Sequence, residues 1–470
     1  GSVHYGCGAP RPSKSSSPAA SVHLEELESA AVGIRTHSFP LNRSSAVEDA
    51  LRSDESVGSS LKCVAFDRYY AEEAYSFLVR GARPDALRVL DMQDFHALRL
   101  GRMEVVRRWD DGRRRHDGAA ATSSMMMSEE LMDELVRYVP SPLDPRSGAG
   151  ASAETRGEAK VRDVLLRELA AVHRSDLTLV CSPREHRLLT DAYGIPPSKL
   201  CLAPFFASEH PPAYDPAVPA ERRFESRRDF AVLGGFRHPP NVDSALWLKR
   251  EVWPRIRSLL PDAVVHVWGA YPPRRAMQLH DEREGFLVRG RLDDLEGELS
   301  RRRVLLAPLR YGAGIKGKIV DAFRCGLPVA TTPVGAEGTF LSPGGGRTAE
   351  PPEMSSRSMA DASAHDRAAD DDDDRGWGGL VASTPSALAS SAASLHSDSS
   401  LWSACQGNAR RILRALFDRA TNLRRTEDAV REAMRDLEGR RERDVAGAVL
   451  WHQRNRSSEY FSRWIELKET

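Results

Sequence analysis

This 470-residue chain has no net formal charge, with 67 basic residues against 67 acidic ones. That balance argues against a nucleic-acid grip, which needs a basic stripe. It has no apolar run approaching the roughly 18 residues of a membrane span, and no signal-peptide core near its start. It also has no cysteine pair at a C-x-x-C spacing. Its six cysteines (Cys7, Cys63, Cys181, Cys201, Cys325, Cys405) are scattered, and no histidine stands at a zinc-site spacing from them. Several lie in apolar runs, where a free thiol behaves as a small hydrophobe. A reducing, cytoplasmic compartment is therefore expected. Lysine is scarce as well, nearly all positive charge being arginine, so the pair Lys316 and Lys318 stands out.

The hydrophobic share, 41%, is that of a globular protein with a disordered fraction. The length allows two or three domains. Residues 1–22, rich in Ser, Pro and Gly, read as a disordered leader, with a short helix from His23 to Ala31. The opening Gly-Ser-Val is not a natural start, and a fragment is expected. Apolar runs at Leu61–Phe66 and Leu87–Leu90 read as strands, with a helix over Tyr70–Arg80 between them. That rhythm implies parallel pairing. Residues 119–157, small, polar and locally Met-rich, read as a loop or insertion. Helices are expected over Val161–His173 and Glu185–Tyr193, and a strand over Leu177–Cys181. A first α/β domain is thus expected over 23–210, and a Pro-rich linker over 211–228.

A second unit is expected over 229–440. Strands are read at Phe230–Gly234, Ala263–Trp268, Phe286–Arg289, Arg303–Leu309 and Pro328–Thr331, with helices over Val242–Ile256 and Ile315–Arg324. The pattern predicts an α/β, doubly wound sheet in both halves. Residues 342–379, with the acidic run Asp370–Asp374, read as a disordered acidic insertion rather than a metal site. The remaining 441–470 reads as a C-terminal helix that packs back on the N-terminal domain.

The chemistry concentrates at Tyr311–Lys318. A buried strand ends at Gly312-Ala313-Gly314 and a helix follows at once. Glycines admit a ligand close to the backbone, and the helix start presents free N–H groups and a positive dipole end suited to a diphosphate. Lys316 adds a full positive charge beside that anion site, of the kind that stabilises developing negative charge. Gly234 and Gly235 follow another strand at its C-terminal end, with Arg237 and Asn241 in the same loop. Asp91, Asp94 and His96 cluster after the strand Arg88–Leu90, where a histidine or carboxylate could orient or deprotonate an acceptor hydroxyl. Asp67 and Glu72-Glu73 follow a neighbouring strand in the same way. Glu337, after a buried strand, either caps the next helix or faces the ligand. Gly312-x4-Gly317-Lys318 has P-loop spacing, but Ile319 supplies no hydroxyl for magnesium. No G-x-G-x-x-G opens an early βαβ unit, which disfavours a dinucleotide oxidoreductase.

The segment RVLLAPLRYGAGIKGKIVDAFRCGLPVATTPVGAEGTF, Arg303–Phe340, resembles the donor-binding core of the retaining glycosyltransferases of the GT-B fold, the large group 1/family 4 type. The likeness extends to FAVLGGFRHPPNVDSALWLKREVWPRI, to VAFDRYYAEEAYS and VLDMQDFHALRLGR, and to the ending WHQRNRSSEYFSRWIELK. It covers about 300 residues, each motif weak alone and specific together. It implies two Rossmann-like domains facing a cleft, the N-terminal one on the acceptor side and incomplete. It also implies transfer of a sugar from a nucleotide-sugar to an acceptor hydroxyl with retention, by front-side attack with the phosphate helping as base. It places Asp321 at the ribose. Where the family carries Glu-x7-Glu, this chain has Ala313 and Asp321. No metal cofactor is implied. Glycan, lipid, protein and small-molecule acceptors are all compatible with these residues. A catalytically inactive protein of the same fold, binding nucleotide-sugar or acting as a scaffold, is the alternative that Ala313 favours.

Overall fold

The computed structural model describes residues 3–9, 34–40, 44–53, 61–116, 125, 127–143, 155–207, 220–341 and 376–469. The expected helix over His23–Ala31, the linker 211–219 and the acidic run Asp370–Asp374 lie outside the described residues. Two compact units form, each from separated stretches. The first comprises Gly1–Met92, Leu169–Leu179 and Ala429–Thr470; the second comprises Gln93–Glu168 and Val180–Asp428.

In the first unit, β1 (Val3–Ala9) pairs in parallel with β2 (Ile34–Pro40). The strand at Val3–Ala9 corrects the reading of 1–22 as wholly disordered. The alternation of Val3, Tyr5 and Cys7 with smaller or polar residues suits an extended chain, and the Ser-rich composition that suggested disorder begins only after Ala9. Next come β3 (Cys63–Asp67), β4 (Leu87–Asp91) and β5 (Leu177–Val180), all parallel, with Val64 opposite Arg88 and Val89 opposite Leu177. The helix Arg68–Ala82 makes the crossover from β3 to β4 and buries Phe77, Leu78 and Val79. Buried ion pairs join the separated stretches. Arg174 donates through Nε to Glu72 Oε1 at 2.9 Å. Asp176 accepts from Arg88 at 2.9 Å and from Arg441 at 2.7 Å. Trp451, on the last helix Val445–Glu469, donates to the carbonyl of Arg174 at 3.0 Å.

The second unit holds the short β6 (Leu200–Leu202) and a six-stranded sheet. Its strands are β7 (Arg228–Leu233), β8 (Val265–Trp268), β9 (Phe286–Gly290), β10 (Arg302–Ala307), β11 (Val329–Thr331) and β12 (Gly379–Val381). They run in the order β12-β11-β10-β7-β8-β9, with all pairs parallel. The chain winds outward from β7 to β9, then returns to β10 on the other side of β7. The order therefore reverses between β7 and β10, which is where open α/β sheets present a ligand crevice. Both expected Rossmann-like sheets are thus present.

The helical run after β7 is interrupted. Pro239–Trp247 and Trp253–Leu259 are α-helical, and Leu248–Val252 is one wider turn. Pro254 offers no N–H to the ladder at that point, which accounts for the widening.

The Met-rich stretch departs from its expectation as a loop. Glu129–Arg137 is a helix capped by Ser128, whose hydroxyl accepts from Leu131 N at 3.2 Å. Leu131, Met132 and Leu135 share one face and enter the core beside Met125, Met127, Val105 and Val106. Methionine fills irregular gaps between elements. Its density here therefore marked a packing seam and not a surface loop.

Candidate functional site

All the site residues below belong to the second unit. β7 and β10 are neighbours, with Val304 opposite Phe230 and Leu305 opposite Ala231, so their C-terminal ends lie side by side. The turn Gly234-Gly235 leaves one and the turn Gly312-Ala313-Gly314 follows the other. Gly314 has φ +66°, and a Cβ there would stand 3.2 Å from the Cβ of Asp94. Only glycine combines that dihedral with that approach. Asp94, expected on the acceptor side, is thus packed against the glycine turn.

Lys316 caps the helix Gly317–Arg324 and points inward, away from solvent. Its Nζ donates to Gly314 O at 2.8 Å and stands 3.5 Å from Glu337 Oε2. Burial pushes its ammonium down from the usual lysine range, against the pull of Glu337. Glu337 is the hub of this corner. Arg102 donates to both its oxygens, at 2.8 and 2.9 Å, and Arg184 Nε lies 2.8 Å from Oε1. Burial would raise its pKa, but Arg102, Lys316 and Arg184 overcome that and hold it at about 2. Arg102, fully buried, also donates to Gly312 O at 2.8 Å and Leu135 O at 2.7 Å. Of the two roles open to Glu337, cap or ligand group, the structure adds a third, that of an ion-pair anchor.

Gly312 and Gly314 are buried, and the amides of Gly314 and Ile315 have internal partners. Gly314 N donates to Glu185 Oε1 at 2.7 Å, and Phe95 N donates to the same oxygen at 2.9 Å. The second oxygen of Glu185 is buried with no hydrogen-bond partner. Burial, with Asp94 and Glu337 nearby, pushes the Glu185 carboxyl up to about 8, so it is mostly protonated at neutral pH. The Ile315 amide faces the sulfur of Cys181. What the turn leaves for an incoming anion is the start of the helix at Gly317 and Lys318.

Lys318 is half-buried and donates to Asn241 Oδ1 at 2.7 Å. Asn241 Nδ2 in turn donates to Gly235 O at 2.9 Å, so a lysine and an amide tie the two glycine turns together. Gly235 is exposed with open space beside it. Arg237 is exposed and stacks over the ring of Tyr271 at 3.7 Å. Asp321 is half-buried on the same helix, 3.6 Å from Arg324, and burial raises its carboxyl. His96 Nδ1 lies 3.1 Å from Glu168 Oε1 and from the carbonyl of Asp94. Asp94 accepts from Arg99 Nε at 2.6 Å; burial opposes its ionisation, but Arg99 and His96 hold it low.

The structure thus gathers Asp94, Gly312, Gly314, Lys316 and Glu337 into one corner, with His96 two residues from Asp94. It places Gly234, Gly235, Asn241 and Lys318 at the adjoining strand end, Arg237 on the rim and Asp321 further along the helix. Sequence reasoning missed Arg102, Arg184, Glu185 and Glu168 as members. The sequence marked Glu185 only as the start of a helix; in the folded chain its carboxyl reaches Phe95 and Gly314. Lys318 was signalled by its P-loop-like spacing.

Residues 227–364 match the family Glycosyl transferases group 1. Among solved structures, HepE from Anabaena in complex with UDP and glucose is similar over 87% of this chain and 88% of that one, at 11% identity and TM-score 0.53. A glycosyltransferase from Rickettsia africae is similar over 92% and 99%, at 9% identity and TM-score 0.50. The chain spans 51% of the length of S. aureus TarM, which it matches over 74% of its own length at 8% identity and TM-score 0.43. No curated protein matches it in sequence. At such identities the likeness to HepE and the Rickettsia protein is one of fold, the two-sheet GT-B fold.

Proposed function

We propose that this chain, whose residues 227–364 match the group 1 glycosyltransferases, transfers a hexosyl group from a nucleoside diphosphate sugar to an acceptor hydroxyl with retention of anomeric configuration. One observation carries the reading. The family segment coincides with the sheet whose strand order reverses between β7 and β10, and both glycine turns and both lysines stand at that reversal. HepE, of the same fold, also forms a complex with UDP-glucose, which supports a UDP-sugar as the first donor to try.

In this reading the diphosphate settles at the start of the helix Gly317–Arg324, where unpaired N–H groups and the dipole favour an anion. Asn241, Gly234, Gly235 and Arg237 border it from the neighbouring strand end, and Asp321 takes the ribose hydroxyls. Lys316 is the fixed charge toward which negative charge develops as the nucleotide leaves. Asp94 and His96 orient the acceptor. The leaving phosphate takes the acceptor's proton on the same face, which gives retention without a covalent enzyme intermediate. No metal enters the scheme.

The test is a screen of UDP- and GDP-sugars for nucleotide release, followed by the anomeric configuration of the product by NMR. Replacing Lys316 by Ala is expected to slow turnover by roughly thirtyfold to several thousandfold, from the ~2–5 kcal/mol that loss of one member of a buried charge pair costs. Equal rates for both proteins would remove the catalytic assignment. A second reading, a binding protein without turnover, draws on the Gly314 amide already held by Glu185 and on Ala313. It predicts a rise in melting temperature with UDP or GDP but no release from any donor.

A further inference from the structure

The P-loop-like spacing singled out Lys318, and the donor reading above leaves it without a role. The basic side chains around it are nearly all matched. Arg102, Arg184 and Lys316 share Glu337. Arg99 is paired with Asp94, and Arg310 lies between Asp110 and Asp243. Lys318 differs from all of these. Among the described residues no carboxylate stands within ion-pair distance of it, and its partner is the neutral amide of Asn241 at 2.7 Å. An amide oxygen offsets little of the cost of taking an ammonium group out of water. Burial and the neighbouring Lys316 push the Lys318 ammonium down to about 7.

Its position is as telling as its charge. Lys318 is in the first turn of the helix after β10, and through Asn241 it is anchored to Gly235 after β7. It therefore sits at the reversal of strand order, next to the open space at Gly235. Lys316, by contrast, faces the carbonyl of Gly314 and the carboxylate of Glu337, both inside the unit. Arg102, Arg184 and Lys316 thus share the carboxylate of Glu337, and Lys318 stands outside that cluster, on the amide of Asn241.

Resting on the donor reading, we infer that Lys318, held by Asn241, is a second side chain that grips the donor's diphosphate, beside Lys316, whose ammonium also fixes the glycine turn through Gly314 and Glu337. A bound diphosphate would supply the counter-charge that Asn241 does not. Asn241 keeps the ammonium in place until then.

The experiment is calorimetric titration of UDP and GDP into wild type, K318M, K318R and N241D, with melting temperatures recorded without ligand. K318M is expected to weaken nucleotide binding by at least about tenfold, the scale of one charge-assisted hydrogen bond, and K318R to stay within a few-fold of wild type. Without ligand, K318M should melt no lower than wild type, because an uncompensated cation is removed. N241D supplies the counter-ion, and should raise the melting temperature while weakening nucleotide binding. Nucleotide binding that survives K318M unchanged would overturn the inference alone, as would a ligand-free K318M melting several degrees lower. A wild-type protein that binds neither UDP nor GDP would instead overturn the donor reading, and this inference with it.

Discussion

Each unit buries ionic groups, and the two do so differently. In the first, Glu72 and Arg174 are matched one to one, and Asp176 takes two arginines that each make a further contact. Arg441 donates to Ala86 O at 2.8 Å, and Arg88 lies 4.7 Å over the ring of Trp451. These pairs bolt together stretches far apart in sequence. In the second unit, Glu337 serves three cations and Lys318 has only an amide. A buried pair with every donor used is a structural device that apolar residues can often replace. A cluster with surplus charge beside glycine turns is arranged for something that binds.

The sharpest way to break that contrast is replacement. Glu337→Gln strands Arg102, Arg184 and Lys316, and is expected to cost about 3–5 kcal/mol in urea unfolding. Glu72→Gln strands Arg174 on the same scale. The double change Glu72→Leu with Arg174→Met should recover most of that loss and leave nucleotide binding unaltered. If the double change instead abolishes nucleotide binding, the first unit's pair is not merely structural.

pH offers a finer cut. The folded-state pKa of Glu337, about 2, lies below its ordinary 4.5, so its stabilisation is complete above about pH 4.5 and lost as pH falls toward 2. Asp176 behaves alike: against burial, Arg441 and Arg88 hold it at about 2 from an ordinary 3.8. Glu185 has the opposite sign. With a folded-state value near 8 against 4.5, the native protein binds the extra proton, and stability falls as pH rises between those values. Unfolding free energies from urea titrations at pH 5 and pH 8 should therefore differ by less in Glu185→Gln than in wild type, by at least about 1 kcal/mol. Identical pH slopes would show that Glu185 stays ionised. The smallest expected effect is that of EDTA, which should leave glycosyl transfer within assay error; strict dependence on manganese would contradict the metal-free scheme.

Much of this was legible before folding. The alternation of apolar runs with helical stretches announced parallel sheets, and Gly312-Ala313-Gly314 followed by Lys316 announced a turn between strand and helix. Elements whose reasons are local could be read, because backbone dihedrals and apolar periodicity are local properties. The Met-rich stretch misled because methionine in a polar context looks the same in a loop and at a packing seam. Glu185 was missed because an acid at a helix start and a long-range acceptor have identical spelling.

By itself the sequence determined the two parallel sheets, the glycine turns and the likeness of the segment around them to the group 1 glycosyltransferases, since each rests on periodicity, on glycine's missing side chain or on contiguous motifs. Only the tertiary structure decided which charges are spent. Arg102 reaches Glu337 across 235 residues and Glu185 reaches Gly314 across 129, and no local rule assigns such partners. Those long-range contacts turn Lys316 inward and leave Lys318, two residues later, with no carboxylate among the described residues to hold it.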